Sequence, residues 1–316
     1  MSGQPFRPAY LRLLESGELE RRVEAALNHL ACCDLCPWEC HTDRLAGRIG
    51  FCKTSRRAKV SSFFPHHGEE NPLRGTGGSG TIFFSNCNLR CQYCQNYEIS
   101  QLGEGYTLEA AELADMMLKL QKAGCHNINL VSPSHVVAQV IEAVAIAARN
   151  GLHLPIVYNT GGYDSLAALQ LLDGIVDIYM PDMKYGSAAV AQQYSKIKDY
   201  PRRNQAAVRE MHRQVGDLTM DERGIAQRGL LVRHLVLPGG LAGTAEVVRF
   251  LAEEISRDTY INIMGQYRPE YKARETDMGP LSRPVTAEEV AEAYALARAA
   301  GLHRFDERPR AAWIAF

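Results

Sequence analysis

The chain has 316 residues, 46% of them hydrophobic and 22% charged, with a formal net charge of −1. That length suits one large α/β domain with a small appendage, and the near-neutral balance gives no general pull toward nucleic acid or anionic membrane. No apolar run approaches the roughly 18 residues of a membrane span, and residues 1–20 lack the apolar core of a secretory leader, so a cytoplasmic protein without a membrane partner is expected. Nine cysteines, eight of them before residue 95, then point to metal ligation or redox work rather than a disulfide framework.

In chain order, Tyr10 to Leu30 reads as one amphipathic helix, with Leu11, Leu14, Leu19, Val23, Ala26, Leu27 and Leu30 on a common face. Next come Cys33, Cys36, Cys40 and Cys52 in the pattern C-x2-C-x3-C-x11-C. Pro37, Gly47 and Gly50 supply tight turns, and four cysteines satisfy either tetrahedral zinc or a closed second iron–sulfur cluster. Cys32 is a substitute ligand for the set, and His41, His66 and His67 are competitors whose plainer reading is surface or core packing. The run Arg74-Gly75-Thr76-Gly77-Gly78-Ser79-Gly80 lacks the G-K-[ST] ending of a phosphate loop and leads into a strand. It reads as a flexible linker between an N-terminal cysteine-rich unit, residues 1–72, and a main unit, residues 73–316.

Thr81 to Phe84 is an apolar run of buried-strand type. Behind it Cys87, Cys91 and Cys94 are spaced C-x3-C-x2-C. Three thiolates on one short loop hold three corners of a cubane cluster that normally takes four cysteines, leaving one iron open. An open coordination position separates a catalytic metal site from a closed structural one. A zinc loop would need a fourth ligand nearby, and no His or Cys lies within thirty residues downstream of Cys94.

From there apolar strand-like runs alternate with helical ones. Strands are expected at 81–85, 127–131, 155–159, 175–180, 230–236 and 259–264. Helices are expected near 107–123, 135–150, 163–172, 188–195, 203–215, 244–256 and 286–300, the last capped by Thr286. Such alternation builds a parallel sheet through crossovers, with functional residues on loops at the C-terminal strand ends. Polar groups do gather there: Ser132, Ser134 and His135, then Asn159 and Thr160, then Asp182 and Lys184, then Arg233 and His234, then Gln266. Converging polar groups of this kind orient a bound polar cofactor. Ser134 reads equally as the cap of the next helix, Asp182 and Lys184 as a structural pair, and His234 as a packing histidine. Arg202, Arg203, Arg209 and Arg213 lie among acidic residues without interleaved aromatics, which favours a solvated helix face over an RNA surface. Cys125 reads as a small buried hydrophobe.

The C-x3-C-x2-C loop, with Tyr93 before its last cysteine, resembles the cluster loop of the radical S-adenosylmethionine (SAM) superfamily. Over residues 81 to 268 the resemblance extends to the activating enzymes of glycyl-radical enzymes. There the cluster loop, Asn159-Thr160-Gly161-Gly162, Tyr179-Met180-Pro181-Asp182-Met183-Lys184 and the run Arg233 to Gly240 fall in that family's order. The likeness is greatest to the branch similar to pyruvate formate-lyase-activating enzyme that carries an N-terminal four-cysteine module, a branch related to the AmmeMemoRadiSam component.

The resemblance implies a partial (β/α)6 barrel, a [4Fe–4S] cluster on Cys87, Cys91 and Cys94, and SAM at the strand ends. Tyr93, Ser132, Ser134, His135, Asn159, Thr160, Asp182, Arg233 and Gln266 would surround SAM, and Lys184 would face SAM or substrate. It also implies a monovalent cation near Asn159, Thr160, Met180 and Asp182, although Asn159 stands where that family has an aspartate. Two further departures are Ser132-Pro133-Ser134-His135 in place of an acidic G-G-E-type motif and Gln266-Tyr267-Arg268 in place of a histidine. The implied reaction takes an electron from a flavodoxin- or ferredoxin-type donor and abstracts hydrogen from a protein or peptide, such as a glycyl-radical enzyme. The alternatives are a small metabolite as substrate, enclosed by residues 265–285 and the N-terminal module, or a non-catalytic electron-transfer or metal-binding protein.

Overall fold

The computed structural model describes residues 6–306, so the outer ends of both expected units lie outside the described residues. The expected first helix breaks at Gly17, whose φ of 69° no other residue type adopts as cheaply. The break leaves Tyr10–Glu15 (α1) and Glu18–Asn28 (α2). After the cysteine-rich stretch come Ala58–His66 (β1), Asn71–Arg74 (α3), Ser79–Phe84 (β2), Tyr106–Leu108 (β3), Ala110–Lys122 (α4) and Ile128–Val131 (β4). Val137–Arg149 (α5), Ile156–Thr160 (β5), Leu166–Leu172 (α6), Ile178–Pro181 (β6), Ala188–Ser195 (α7) and Tyr200–Val215 (α8) follow. The chain then forms Thr219–Met220 (β7), Ala226–Leu235 (β8), Thr244–Phe250 (α9), Tyr260–Met264 (β9), Lys272–Glu275 (α10), Ala287–Ala299 (α11) and Arg304–Phe305 (β10).

The sheet order is β10-β9-β8-β6-β5-β4-β2-β1-β3. The run β2-β4-β5-β6-β8-β9 is parallel throughout, with helices in the connections, which is the architecture of a partial (β/α)6 barrel. Each of these six strands lies where the apolar runs placed it. Thr286 caps α11 and forms a reciprocal capping box with Glu289.

Two expectations need correction. β1 pairs antiparallel with β2, Val60 opposite Phe84 and His66 opposite Ser79, and with β3, so the sheet runs straight across the expected boundary at 72/73. The half-buried sequence of β1, with Pro65 near its end, has no clean alternation to reveal it. The glycine-rich run is not a flexible linker either. Gly77 N donates to His126 Nε2 at 3.0 Å, and a Cβ on Gly77 would fall 2.1 Å from the Gly124 carbonyl oxygen. The glycines are there for close backbone approach.

Strand parity sorts the interior. Ile128, Leu130, Ile156, Tyr158, Leu230, Val232, Ile261 and Ile263 face the helices in the main core. Their neighbours Val157, Ile178, Met180, Leu231 and Tyr260 form an inner core with Leu73, Leu218 and Ala226. Arg233 is the next inward residue of β8, opposite Asn262 of β9. Its guanidinium donates to both Glu70 oxygens at 2.7 Å, to Glu69, and to Asn159 Oδ1 at 3.3 Å. Asn262 Nδ2 also donates to Glu70, at 2.7 Å. Glu69 and Glu70 are buried, so Arg233 is the counter-charge that lets them be there. Burial works against the Arg233 cation, but Glu70 and Glu69 outweigh it and hold its proton more firmly than usual.

Arg233→Met strands two buried carboxylates, a change of the kind that costs about 3–5 kcal/mol. The urea unfolding midpoint should fall accordingly, and an unchanged midpoint would show that the carboxylates are stabilised some other way.

Candidate functional site

The three-cysteine loop leaves β2 at the C-terminal edge of the parallel strands and is gripped from four sides. Ser85 N donates to Lys59 O of β1 at 2.8 Å, and Asn86, in the left-handed region that asparagine tolerates, donates to Ile99 O at 2.8 Å. From the β5–α6 loop, Tyr163 O accepts Asn88 Nδ2 at 2.6 Å. From the end of α7, Ser195 O accepts Arg90 N at 3.3 Å and Tyr194 O accepts Gln92 N at 2.8 Å. The fourth side is the N-terminal module. Trp38 Nε1 donates to Asn88 O at 2.7 Å, and Arg90 Nη2 donates to Phe51 O at 2.6 Å.

Cys87, Cys91 and Cys94 face one another. Burial pushes the Cys87 thiol up to about 12, the neighbouring Cys91 and Cys94 push the same way, and the Leu89 N–H and Lys184 oppose them. Burial likewise raises Cys91, while Lys184 pulls it down. Such sulfurs become thiolates only when a cation holds them, and an iron–sulfur core supplies that charge. Donors are already in place. Ser195 Oγ donates to Cys91 Sγ at 3.0 Å, and Ser100 Oγ lies 3.1 Å from Cys94 Sγ. Behind Ser195 a chain continues through Tyr185 Oη at 2.6 Å to Tyr93 Oη at 2.7 Å. The residues therefore fit the cluster, and Tyr93 serves it through this chain rather than by an open hydroxyl.

The facing wall comes from the other strand ends. Lys184 Nζ pairs with Asp182. Burial would lower the Lys184 ammonium, but Asp182 and Cys91 outweigh it and hold it above its usual value, so a permanent cation stands beside the thiol loop. Gly161 lets Leu89 close on β5, since a Cβ there would meet Leu89 Cδ1 at 2.6 Å. Gly162, at φ 74°, would put a Cβ 2.1 Å from the Asp182 carbonyl oxygen. The two glycines of Asn159-Thr160-Gly161-Gly162 thus fix the spacing between the cluster loop and the Asp182–Lys184 segment.

Several expected contacts are turned elsewhere. Ser134 does not cap α5, whose N-cap is Val136 without a side-chain bond; its hydroxyl lies 2.9 Å from Thr160 Oγ1. Thr160 in turn donates to Asp164 Oδ2 at 2.6 Å and accepts from Gly162 N at 3.1 Å. Asn159 Oδ1 is taken by Arg233. Arg233 itself is committed to Glu69 and Glu70. Ser132 sits at the strand end at φ 59°, a strained position of the kind that clusters at functional sites. His135 is buried with Nε2 3.0 Å from Ser85 O, and burial, then Arg44, lower it to about 3, so it stays neutral. His234 bonds Met183 O and Thr244 Oγ1 at 2.7 and 3.0 Å as a packing histidine. Gln266 is exposed, its carbonyl accepting Gln95 Nε2 at 3.4 Å. The arginines of α8 pair with Asp199, Glu254, Glu210 and Asp173, and Cys125 belongs to the apolar core.

In the N-terminal module, burial raises the Cys36 thiol, the Trp38 N–H opposes, and Cys52, Cys33 and Cys40 raise it further. Cys33, Cys40 and Cys52 thus lie near enough to act on Cys36, while Cys32 is exposed, 3.6 Å from His41 Nδ1. His66 meets Glu69 at 3.3 Å. Sequence reasoning missed Arg44, Glu69, Glu70 and Ser195, because each acts on a partner remote in the chain, and Asp164, whose partners Tyr158 and Thr160 are near in the chain but meet it only through the turn after β5.

Ser195→Ala removes the one hydroxyl that donates to Cys91 Sγ. Loss of a supporting group around a metal ligand typically costs about 10–100-fold in activity or affinity. The cluster of this variant should reduce at a more negative potential, measured by redox titration under EPR; an unchanged potential would assign Ser195 to packing alone.

A family model for the radical SAM superfamily matches residues 81–221. Over 300 residues the chain is 30% identical to the uncharacterized protein MJ0674 of Methanocaldococcus jannaschii, spanning 91% of this chain and 80% of that one. Among solved structures, the [FeFe]-hydrogenase maturase HydG superposes with a TM-score of 0.46 and 13% identity over 68% of this chain; the match spans 47% of the maturase, less than half its length. No described helix is long and apolar enough to cross a membrane. With its three cysteines on the loop after the first parallel strand, the chain belongs to the radical SAM superfamily.

Proposed function

We propose that the protein uses a [4Fe–4S] cluster on Cys87, Cys91 and Cys94 to drive hydrogen abstraction from a small polar substrate enclosed at the strand ends. Bound there, the cluster and SAM supply reductive cleavage of SAM to methionine and a 5′-deoxyadenosyl radical, the radical that abstracts hydrogen. The chain's own residues position, shield and balance charge. Lys184 presents a cation to the bound groups, Asp182 holds that cation in place, and the buried tyrosines around the loop exclude water.

The observation that carries the reading is a loop with three cysteines at the C-terminal edge of the parallel strands, with the Lys184 cation acting on Cys91 and Cys87. Enclosure favours a small substrate. The segment leaving β9 crosses to the loop that leaves β2, joining the two ends of the parallel run. Ala273 N donates to Gln92 O at 3.1 Å, Tyr271 stacks on Tyr97 at 4.9 Å, and Tyr267 packs edge-on to Tyr93 at 5.8 Å. Inside, strand parity turns the Asn129 side chain into the barrel, where neither of its amide atoms has a partner among the described residues. A buried amide of that kind calls for a polar guest or water.

A protein or peptide substrate, with activation of the glycyl-radical type, requires the 265–285 segment to swing away from the cluster loop. The electron comes from a flavodoxin- or ferredoxin-class donor in either case. A monovalent cation would compete with Arg233 for Asn159 and with Lys184 for Asp182, and it forms no part of the proposal. Cys33, Cys36, Cys40 and Cys52 enter the proposal as a second metal centre.

The test is anaerobic reconstitution with iron and sulfide, reduction in the presence of SAM, and quantification of 5′-deoxyadenosine. Wild type should form it, and Cys91→Ala should fall to background while keeping the N-terminal metal. No product from a fully loaded, reducible wild type, with a metabolite pool and with a protein fraction alike, would sink the reading.

A further inference from the structure

We propose that the barrel interior below the strand ends is the recognition subsite for the substrate, built for a planar ring that carries a hydrogen-bond donor beside an acceptor. Asn129 reads that edge, and Phe64 and Phe83 stack on the ring. The inference rests on the reading of the strand ends as a radical SAM site with a small enclosed substrate, and it names the class of that substrate.

Two rows of paired residues place the groups. Phe64 of β1 pairs with Thr81 of β2, Thr81 with Asn129 of β4, and Asn129 with Val157 of β5. One step nearer the strand ends, the row is Ser62, Phe83, Val131, Asn159 and Met180. Val157 and Met180 belong to the inner core, and paired residues share a face, so both rows point into the barrel.

Side chains close the rim of this space. Asn159 Oδ1 accepts from Arg233 Nη1 at 3.3 Å, and Arg233 also donates to Glu69. Glu69 Oε1 stands 3.3 Å from His66 Nδ1. The His66 ring lies edge-on to Phe64 at 5.6 Å and to Phe83 at 6.3 Å, and those two phenylalanines are stacked at 5.6 Å. The residues that follow β1 thus bridge from the β1 edge to β8.

Two neighbouring asparagines differ in a telling way. Asn127 and Asn129 are both fully buried. Asn127 Oδ1 accepts from Ser79 Oγ at 2.7 Å and its Nδ2 donates to Leu73 O at 2.8 Å, which makes it a structural amide. Asn129 has no such bonds: its Nδ2 and Oδ1 are both without a partner among the described residues. A buried polar group left unpaired costs stability, so this amide weakens the fold unless a guest completes it. Its donor and acceptor lie side by side in one plane, and the complement is an acceptor beside a donor, the geometry by which asparagine reads the edge of a nucleobase.

Phe64 is the other departure from a plain core. It is 41% exposed although its row faces the barrel, and β3 covers β1 only over Ala58 to Val60. The row is therefore open at its β1 end and closed at Asn129, two strand spacings or about 10 Å away. An aromatic wall at the open end and an unpaired amide at the closed end suit a guest that is flat and polar at its tip. Stacking holds the ring whatever its substituents, and the amide decides which edge is accepted.

The test uses the reconstituted full chain and four small probes, with binding followed by calorimetry. Benzamide and cytosine each present a donor beside an acceptor on a planar ring. Acetophenone keeps the ring and the acceptor without the donor, and acetamide keeps the edge without the ring. Benzamide or cytosine should bind about tenfold or more tightly than acetophenone and acetamide, benzamide if the edge is a substituent and cytosine if it is part of the ring. Asn129→Leu should erase the margin over acetophenone, and Phe64→Ala should weaken benzamide and acetophenone alike. Asn129→Leu should also unfold at a higher urea concentration than wild type, because it removes two unpaired polar atoms; a lower midpoint would give the amide a structural role and overturn this one. Any other order among the probes, no binding of any, or a margin that survives Asn129→Leu would overturn the subsite. Binding is read without SAM cleavage, so such failures leave the cluster reading standing, and a failure to form 5′-deoxyadenosine shows only in the other assay.

Discussion

Three sulfurs on one short loop repel one another once charged, and burial makes Cys87 and Cys91 reluctant to lose their protons. The structure answers with restraint. Backbone groups of β1, of the β5–α6 loop and of the end of α7 each hold one stretch of it. Lys184 provides the cation and Ser195 the hydroxyl that favour thiolate at Cys91. Positions that look unrelated to metal chemistry follow from this demand. Gly161 and Gly162 have no side chain because Leu89 on one side and the Asp182 carbonyl on the other occupy the space. The tyrosines at 93, 163, 185 and 200 form one buried cluster with Leu89 and Cys91, their rings filling volume and their hydroxyls ending in hydrogen bonds.

A second constraint sits deeper in the barrel. Its interior changes from apolar at the inner core to polar above it, and the change is managed by Arg233. Two carboxylates from the turn between β1 and α3 reach that guanidinium from outside the parallel strands. They tie the antiparallel extension of the sheet to β8 and, through Asn262, to β9. A residue at a strand end that resembles a cofactor ligand is thereby spent on the scaffold. The same holds for Thr160, which closes a buried set with Ser134, Asp164 and Tyr158. What remains directed at the site is a shorter list: the three cysteines, Lys184 with Asp182, and the strand-end backbone.

The sequence made the six parallel strands and the cluster loop legible because both are local patterns. Continuous apolar runs, a C-x3-C-x2-C spacing and glycine pairs at strand ends are each read within a dozen residues. The antiparallel β1 and β3 were not legible: one is a half-exposed strand with a proline, the other too short to show a period. The polar partners failed for another reason. Glu70 meets Arg233 and Ser195 meets Cys91 only after the chain has closed on itself, and nothing in the local composition distinguishes these residues from surface ones. Chemistry that depends on one short segment can be read early, and chemistry that depends on long-range pairing cannot.

Arg44 shows how far that long-range dependence reaches. Its backbone N–H is bonded to Leu30 O at the end of the N-terminal helices, while its side chain joins Cys33, Ser55 and the His135 carbonyl beyond β4. His135 in turn reaches Ser85 O at the root of the three-cysteine loop. The four-cysteine module is therefore connected to that loop twice, through Arg44 and His135 beneath and through Trp38 and Phe51 alongside. Trp38 and Phe51, which lie beside Cys36, Cys40 and Cys52 in sequence, stack at 3.5 Å; the Trp38 indole donates to Asn88 O and the Phe51 carbonyl accepts from Arg90. These contacts join the two cysteine-bearing stretches, which gives the N-terminal module a structural reason to lie against the loop that leaves β2.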